Sequence, residues 1–379
     1  MAESNAFMQS EEVKNFNKQL EKYHLGPLWS AIPELSCKEP QPQAIPYLWK
    51  WETIYAQLME AKDIFTPERG GERRAIYLQN PGLKDRKPWG WASATSTIYV
   101  AVQLILPGEV APSHRHTQSA QRFITHGNGA YSIVQGQKIT MEEGDFLTTP
   151  KGLWHGHGHD GDGPVIWMDT LDIPLIYYLN GTFFEGHPDY IERPSTPDDF
   201  SVKKYKGGMV RPISDRKASI APLGAFKWSQ TEAALDGLTE LEPDEFDGYA
   251  VEYINPSTGQ TANPTIASWM QKLPSGFHTK AHRHTSSSVY QVYKGSGYSV
   301  INGVKFEWSQ GDYFVVPNWA WHEHVATSKE DVYLFSVHDL PILEKFDLQR
   351  EEAYEENNGH QEIKSEFVPD VMTKQTIQD

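Results

Sequence analysis

The chain is poor in cysteine, in long apolar runs and in positive charge. Its 379 residues include one cysteine, Cys37, so no intramolecular disulfide can form, and a reducing compartment, the cytoplasm, is expected. The longest clean apolar stretch, residues 99–106, is eight residues long and contains Gln103. A helix that crosses a bilayer needs about 20, so no transmembrane helix is expected. Residues 1–19 are polar and lack the apolar centre of a secretory signal. Lys and Arg number 34 against 50 Asp and Glu, a formal net charge of −16. That balance argues against nucleic acid and anionic membrane surfaces as partners. An anionic ligand would have to be met by local arginines.

What the chain does contain is enough apolar and aromatic material, 39% and 12% with 12 Trp, for sizeable cores. Its length suits two or three domains. Residues 10–25 read as a helix. Ser10 is placed to cap it, Glu11 and Glu12 suit its first turn, and Val13, Phe16, Leu20 and Tyr23 recur near helical spacing. Residues 26–46 are Pro-rich and read as irregular, and 50–59 as a second helix. A basic cluster follows: Arg69, Arg73, Arg74, Lys84, Arg86 and Lys87. From Thr97 the texture changes to short strands between turn residues, at 99–106, 130–134, 145–148 and 165–170. A bridge with a helix near 231–238 leads to a second group at 265–272, 289–294, 298–301, 313–316 and 332–337. The tail beyond Lys345 is charged and is expected to form a helix and then a loose end.

The chemistry concentrates in Gly108-Glu-Val-Ala-Pro-Ser-His114-Arg-His116 and Gly144-Asp-Phe-Leu-Thr-Thr-Pro150-Lys-Gly152-Leu-Trp-His155. Alternate side chains of a strand share a face, so His-x-His presents two imidazoles together. His155 arrives 39 positions after His116, at the end of another apolar run. Three neutral imidazoles suit a divalent transition metal such as iron and leave coordination positions open. The pattern then repeats. Gly276, His282 and His284 match Gly108, His114 and His116 at a shift of 168, and Gly311, Pro317 and His322 match Gly144, Pro150 and His155 at 167. Asp172-Ile-Pro174 recurs as Asp339-Leu-Pro341. Two copies of one β-domain are therefore expected. The boundaries read as a helical and irregular extension over 1–90, a first β-domain over 91–180, a bridge over 181–262, a second β-domain over 263–345 and an acidic tail over 346–379.

At these residues the sequence resembles the bicupins, and more narrowly the gentisate 1,2-dioxygenase family, which includes salicylate and 1-hydroxy-2-naphthoate dioxygenases. The segments that carry the resemblance are 72–81, 103–123, 141–150, 154–157 and 164–174. It implies a mainly β fold, two jelly-roll cupin barrels in tandem behind an N-terminal helical extension. It implies an Fe(II)-dependent, extradiol-type dioxygenase of aromatic catabolism. Such an enzyme inserts O2 between the carboxyl-bearing and adjacent hydroxyl-bearing carbons of gentisate to give maleylpyruvate. One iron per chain would sit in the first cupin on His114, His116 and His155. The resemblance also implies a homotetramer whose partners are a small aromatic hydroxy acid and O2. Many metal cupins carry a Glu five positions after the second His; here that position is Gln121. This departs from the manganese oxalate-degrading bicupins and agrees with a three-His iron.

Roles follow for further residues. Arg122 is the candidate to meet a carboxylate through two hydrogen bonds; the alternative is a surface arginine on a strand. Arg74 resembles a family active-site arginine that binds substrate. His157 is a candidate acid–base group with Asp169 orienting it; the alternative is an exposed loop histidine beside His159. Tyr99 and Gln103 precede the motif on a strand, with Gln103 turned either into the cavity or to a hydrogen bond in the core. In the second cupin, His282, His284 and His322 keep ligand spacing, which allows a second metal. There, however, Val289, Tyr290, Trp319 and Ser336 stand where Gln121, Arg122, Gly152 and Asp169 do, and the alternative is a structural cupin. Competing readings are the same cleavage of salicylate or 1-hydroxy-2-naphthoate, a sugar-phosphate isomerase or other metal cupin, and a storage or ligand-binding bicupin.

Overall fold

The structure is a computed structural model that describes residues 7–66, 74–85, 93–206, 210–216 and 223–371. Arg69, Arg73, Arg86 and Lys87 of the basic cluster lie outside the described residues. Residues 1–41 form one unit. Its helices are α1 (Glu11–Glu21), capped by Ser10, which accepts a hydrogen bond from the Val13 N–H, and α2 (Leu28–Leu35). The Pro-rich stretch is thus helical in part. Leu28, Ile32 and Leu35 recur at helical spacing, and Pro27 stands just ahead of the first turn, where a missing N–H costs nothing. Trp29 stacks on Phe16 and donates to Asn17, which joins the two helices.

The second unit begins at Pro42. It opens with β1 (Tyr47–Trp49), α3 (Trp51–Ile64) and β2 (Arg74–Tyr77). The first barrel follows: β3 (Tyr99–Ile105), β4 (Val110–His116), β5 (Ala120–His126), β6 (Ala130–Val134), β7 (Gln137–Met141), β8 (Phe146–Thr149), β9 (His155–His159) and β10 (Val165–Leu171). After α4 (Ile173–Tyr178) and β11 (Phe184–Gly186), the bridge supplies β12 (Ala225–Phe226), α5 (Trp228–Leu238) and β13 (Tyr249–Glu252). The second barrel runs through β14 (Ala267–Leu273), β15 (His282–His284), β16 (Ser288–Lys294), β17 (Ser296–Ile301), β18 (Val304–Ser309), β19 (Tyr313–Val316), β20 (His322–Ala326) and β21 (Val332–His338). It is followed by α6 (Leu340–Lys345), β22 (Glu351–Ala353) and β23 (Ser365–Glu366).

Each barrel has two facing sheets. In the first they run β12-β8-β5-β10-β3-β2 and β11-β4-β9-β6-β7; in the second, β1-β19-β16-β21-β14-β13 and β22-β15-β20-β17-β18-β23. The edge strands are exchanged. The strand β1, which precedes the first barrel, pairs with β19 of the second, while β12, which precedes the second, pairs with β8 of the first. The same residues lock both exchanges. Asp312 takes the Lys50 ammonium and the Trp51 N–H; Asp145 takes the Lys227 ammonium and the Trp228 N–H. The repeat therefore extends beyond the barrels, to Lys-Trp pairs at 50–51 and 227–228. One shared core joins the barrels, with Phe123 stacked on Phe335 at 4.2 Å and Phe146 on Tyr253 at 4.5 Å.

Two expectations about the connecting segments need correction. The 181–262 stretch is more than a linker, because β11, β12 and β13 complete sheets of both barrels. Beyond α6 the tail forms no further α-helix among the described residues; it adds β22 to β15 and a parallel β23 to β18. Neither strand is legible from its own residues, which are exposed and mostly charged, because the pairing is supplied by the barrel edge.

Candidate active site

The first barrel encloses a cavity of about 410 Å³ between its two sheets. A larger cleft, about 640 Å³, lies between Lys151 and Lys345 and is lined by no histidine. The chemistry belongs to the smaller space. From one side, β4 sends in His114 and His116, and β9, paired antiparallel with His155 opposite His114, sends in His155 and His157. From the facing sheet, β3 contributes Tyr99, Ala101 and Gln103, every second residue. Arg122 of β5 and Asp169 of β10 are direct register partners.

The three imidazoles form a compact cluster, with ligand atoms within 4.8 Å of one another. A backbone carbonyl holds the Nδ1 of each: Pro112 for His114 at 3.3 Å, Gln118 for His116 at 2.9 Å and Leu153 for His155 at 3.0 Å. That support turns the Nε2 atoms inward, and His155 Nε2 is buried with no hydrogen-bond partner. Burial, then the neighbouring His114, Arg122 and His116, holds the His155 pKa well below the usual histidine range. His155 is thus held as neutral imidazole, the form that binds a transition ion. Gln121 is not a fourth ligand; it donates to Ser268 Oγ of the second barrel at 2.7 Å.

Arg122 is 4% exposed, so it is no surface arginine. Its Nε lies 2.9 Å from Asp169 Oδ1, and its Nη1 donates to Thr149 Oγ1 at 2.6 Å. Asp169 also accepts the Trp167 indole N–H at 2.8 Å. Asp169 is expected to orient His157, and the geometry gives each of them a further partner. Asp169 faces Arg122 across β5 and β10, whereas His157 sits on the opposite sheet and pairs through Nδ1 with Ser132 Oγ at 2.8 Å. His157 is buried, and so is His159, which bonds the Gly163 carbonyl at 2.7 Å; neither is an exposed loop residue.

Tyr99 and Gln103 line the cavity as expected. Burial raises the Tyr99 phenol, with the Asp169 charge adding to the effect, so it stays a hydrogen-bond donor at neutral pH. Arg74 does not line the cavity. On β2 it is Ala75 that faces Gln103 and enters the space, and period-two alternation turns Arg74 to the other face, where it pairs with the Glu109 carboxylate and the Phe65 carbonyl. Sequence reasoning also missed the apolar wall of Ile173, Tyr177, Phe183 and Phe184. Phe184 stacks on His114 at 5.1 Å because β11 pairs with β4. The available signal was the repeat: the Arg115–Glu185 ion pair that anchors β11 recurs as Arg283–Glu352 on β22.

Comparison with known proteins points the same way. A cupin-domain family model matches residues 101–173 and 269–338. The chain is 39% identical over 363 residues to 5-aminosalicylate 1,2-dioxygenase of a Comamonas species, covering 94% of each. It is 38% identical over 343 residues to gentisate 1,2-dioxygenase 1 of Aquipseudomonas alcaligenes, covering 90% of this chain and 96% of that one. Among solved structures, the salicylate 1,2-dioxygenase of Pseudoaminobacter salicylatoxidans in its gentisate adduct matches with a TM-score of 0.84 at 32% identity, over 91% of this chain and 94% of the other.

Proposed function

The chain belongs to the gentisate 1,2-dioxygenase family of bicupin ring-cleaving enzymes, and from that premise we propose that its first barrel is an Fe(II) site that cleaves gentisate to maleylpyruvate. The observation that carries the reading is the meeting, in one cavity, of a buried three-histidine cluster and a buried guanidinium. The donor set fits iron: three inward imidazoles, no carboxylate, and room left for ligands. Fe(II) held by His114, His116 and His155 would supply the redox chemistry that activates O2 and the centre at which the two reactants meet.

The chain's own residues do the rest. Arg122 receives the substrate carboxylate, and Asp169 with Thr149 fixes the guanidinium plane beforehand, so little rotamer freedom is lost on binding. Asp169 also moderates the cost of burying that cation in the free enzyme. In the tautomer that donates Nδ1–H to Ser132, His157 presents Nε2 as an acceptor for the proton of a ring hydroxyl. Tyr99 and Gln103 offer polar contacts on the opposite wall. Phe183, Phe184 and Ile173 exclude water from the reacting carbon. A storage or purely ligand-binding role would need neither the inward imidazoles nor a locked buried arginine.

The chemistry is the same for salicylate and 1-hydroxy-2-naphthoate, so relative rates decide among them. Among the described residues no helix is long and apolar enough to cross a membrane. The exposed thiol of Cys37 fits a cytoplasmic enzyme. The family resemblance further supports a homotetramer, which light scattering would measure. The deciding experiment is oxygen uptake by anaerobically Fe(II)-loaded enzyme offered gentisate, salicylate and 1-hydroxy-2-naphthoate in turn. Iron-dependent uptake with a new near-ultraviolet product band on gentisate is the expected result. No uptake on any of the three, with iron bound, would overturn the reading.

A further inference from the structure

On the second barrel, three donor side chains meet outside both histidine triads: His278, Glu323 and His360. They come from distant places. His278 lies between β14 and β15 and bridges to Val325. Glu323 sits on β20 between His322 and His324. His360 follows the short turn Asn357–Gly359 of the tail. Strand alternation explains the arrangement: His322 and His324 enter the barrel, so Glu323 points out of it. Yet the Glu323 side chain is only 1% exposed, because His278 and the tail close over it. One oxygen, Oε2, is shared, 3.1 Å from His278 Nε2 and 2.9 Å from His360 Nδ1. The other, Oε1, accepts the Gln361 N–H at 2.8 Å. The two imidazoles lie 4.0 Å apart, and their side chains are 38% and 29% exposed.

We propose that His278, Glu323 and His360 bind a divalent transition ion of the zinc type, which staples the tail to the second barrel. Two imidazoles and one carboxylate are a donor set such ions take, with a fourth position left to water. Donors ~2.0–2.1 Å from a tetrahedral ion stand ~3.4 Å apart, so the observed spacings need only a slight opening. The Gln361 N–H fixes the carboxylate from behind, as outer-shell partners of metal ligands do. The two imidazoles converge on a single oxygen, which brings three donor atoms to one point where an ion can take the place of the two N–H···O bonds. The solvent-facing edges of both rings give the ion a way in.

Among the described residues the first barrel has no comparable group. The matching positions are Val110, Gly156 and Arg193. A side chain at Gly156 would collide with Ser113, its Cβ only 2.5 Å from Oγ. Among the described residues the site therefore belongs to the second barrel, and it stands whether or not the first barrel cleaves gentisate.

The test uses full-length enzyme loaded anaerobically with Fe(II), then exposed to Zn(II), desalted and analysed for both metals. Wild type should gain one zinc per chain with no loss of iron. His278→Ala and His360→Ala should lose that zinc while keeping their iron and their oxygen uptake. Zinc should also slow tryptic cleavage after Lys364 at least tenfold in wild type and leave it unchanged in His278→Ala, with circular dichroism checking that the variant is folded. No zinc gained by wild type, equal zinc in all three proteins, or zinc gained only as iron is lost would each overturn the proposal.

Discussion

The two barrels share a three-histidine frame and differ in what fills the space beside it. In the first, the ring centroids of the triad stand 4.1, 4.9 and 5.2 Å apart; in the second, 4.3, 4.9 and 5.5 Å. Carbonyl supports recur as well, from Ser286 to His284 and from Ala320 to His322, and His324 bonds Ser299 as His157 bonds Ser132. The neighbouring space is another matter. Tyr290 replaces Arg122, Ser336 replaces Asp169, Trp269 replaces Ala101 and His338 replaces Leu171. Trp269 and His338 pack ring to ring at 4.0 Å, and Ser288 and Ser336 hold both nitrogens of His338. Gln271, the match to Gln103, donates to Asp247. Rings and neutral hydrogen bonds thus stand where the first barrel keeps a cavity and a cation. Ligand geometry and substrate chemistry are separable parts of this fold.

The largest expected effect tests that separation at the ligands. His116→Ala should lose the first-barrel iron and at least ~10³-fold in kcat/KM. His284→Ala should stay within an order of magnitude of wild type, because in its barrel Tyr290 stands where Arg122 does. Metal analysis and oxygen uptake on both variants decide. If His284→Ala abolishes turnover while first-barrel iron is retained, the two barrels are not independent in function.

A second prediction rewrites the first barrel as the second. Arg122→Ala alone leaves the buried Asp169 without its guanidinium partner and should cost about 3–5 kcal/mol of stability. The paired change Arg122→Tyr with Asp169→Ser removes both charges and should recover most of that loss, measured by thermal unfolding. It should still bind iron, yet kcat/KM should fall ~10²–10³-fold for want of the charged hydrogen bonds to the carboxylate. Full activity in the double variant would show that Arg122 does not meet the substrate.

The same comparison explains what was legible in the sequence. Both triads were, because His-x-His and the period of a strand leave little freedom, and because duplication printed the pattern twice. The strands that bury a full apolar face, such as β6 and β19, were read to the residue. The exchanged strands β1 and β12 were not, since three and two residues carry no periodicity. Their signal is the Lys-Trp pair, matched at a shift of 177 because the segments joining pair and barrel differ in length. Partner choice was the weakest point. The motif suggests His157 as the partner of Asp169, and the register of β10 against β5 adds Arg122, which no motif reports. Arg74 failed for a related reason: which face of β2 meets the cavity depends on its register with β3, which no local pattern reports.

A third prediction concerns the histidine both barrels retain. His157→Gln should lower kcat about 10²-fold with iron content unchanged, the scale of one lost proton acceptor. Ser132→Ala should cost less and should shift the acid limb of the pH–rate profile, because Ser132 fixes the tautomer without touching substrate. In the second barrel, His324→Gln should leave turnover unaffected. An unchanged pH profile in Ser132→Ala would return the positioning role to another group.

The smallest effect lies at Asp247, beside the second barrel, and it is read in stability. Burial, with the nearby charges of Asp244 and Glu351, pushes the Asp247 carboxyl up to about 7, although Gln271 donates to it. In the unfolded chain it titrates near 3.9. The folded state therefore holds the proton more tightly, and stability contributed by this group is present below pH 4, declines as pH rises through the folded value, and is lost above it. Asp247→Asn keeps an oxygen for the Gln271 N–H and cannot ionise. Its melting temperature should match wild type near pH 4, exceed it by a growing margin up to pH 7, and hold that margin beyond. The matched Gln103 of the first barrel faces the cavity instead of a carboxyl, so Gln103→Ala should show no such pH-dependent margin. Equal margins for Asp247→Asn at pH 4 and pH 8 would mean that Gln271 is held by geometry alone, and that the two glutamines differ in partner without differing in charge.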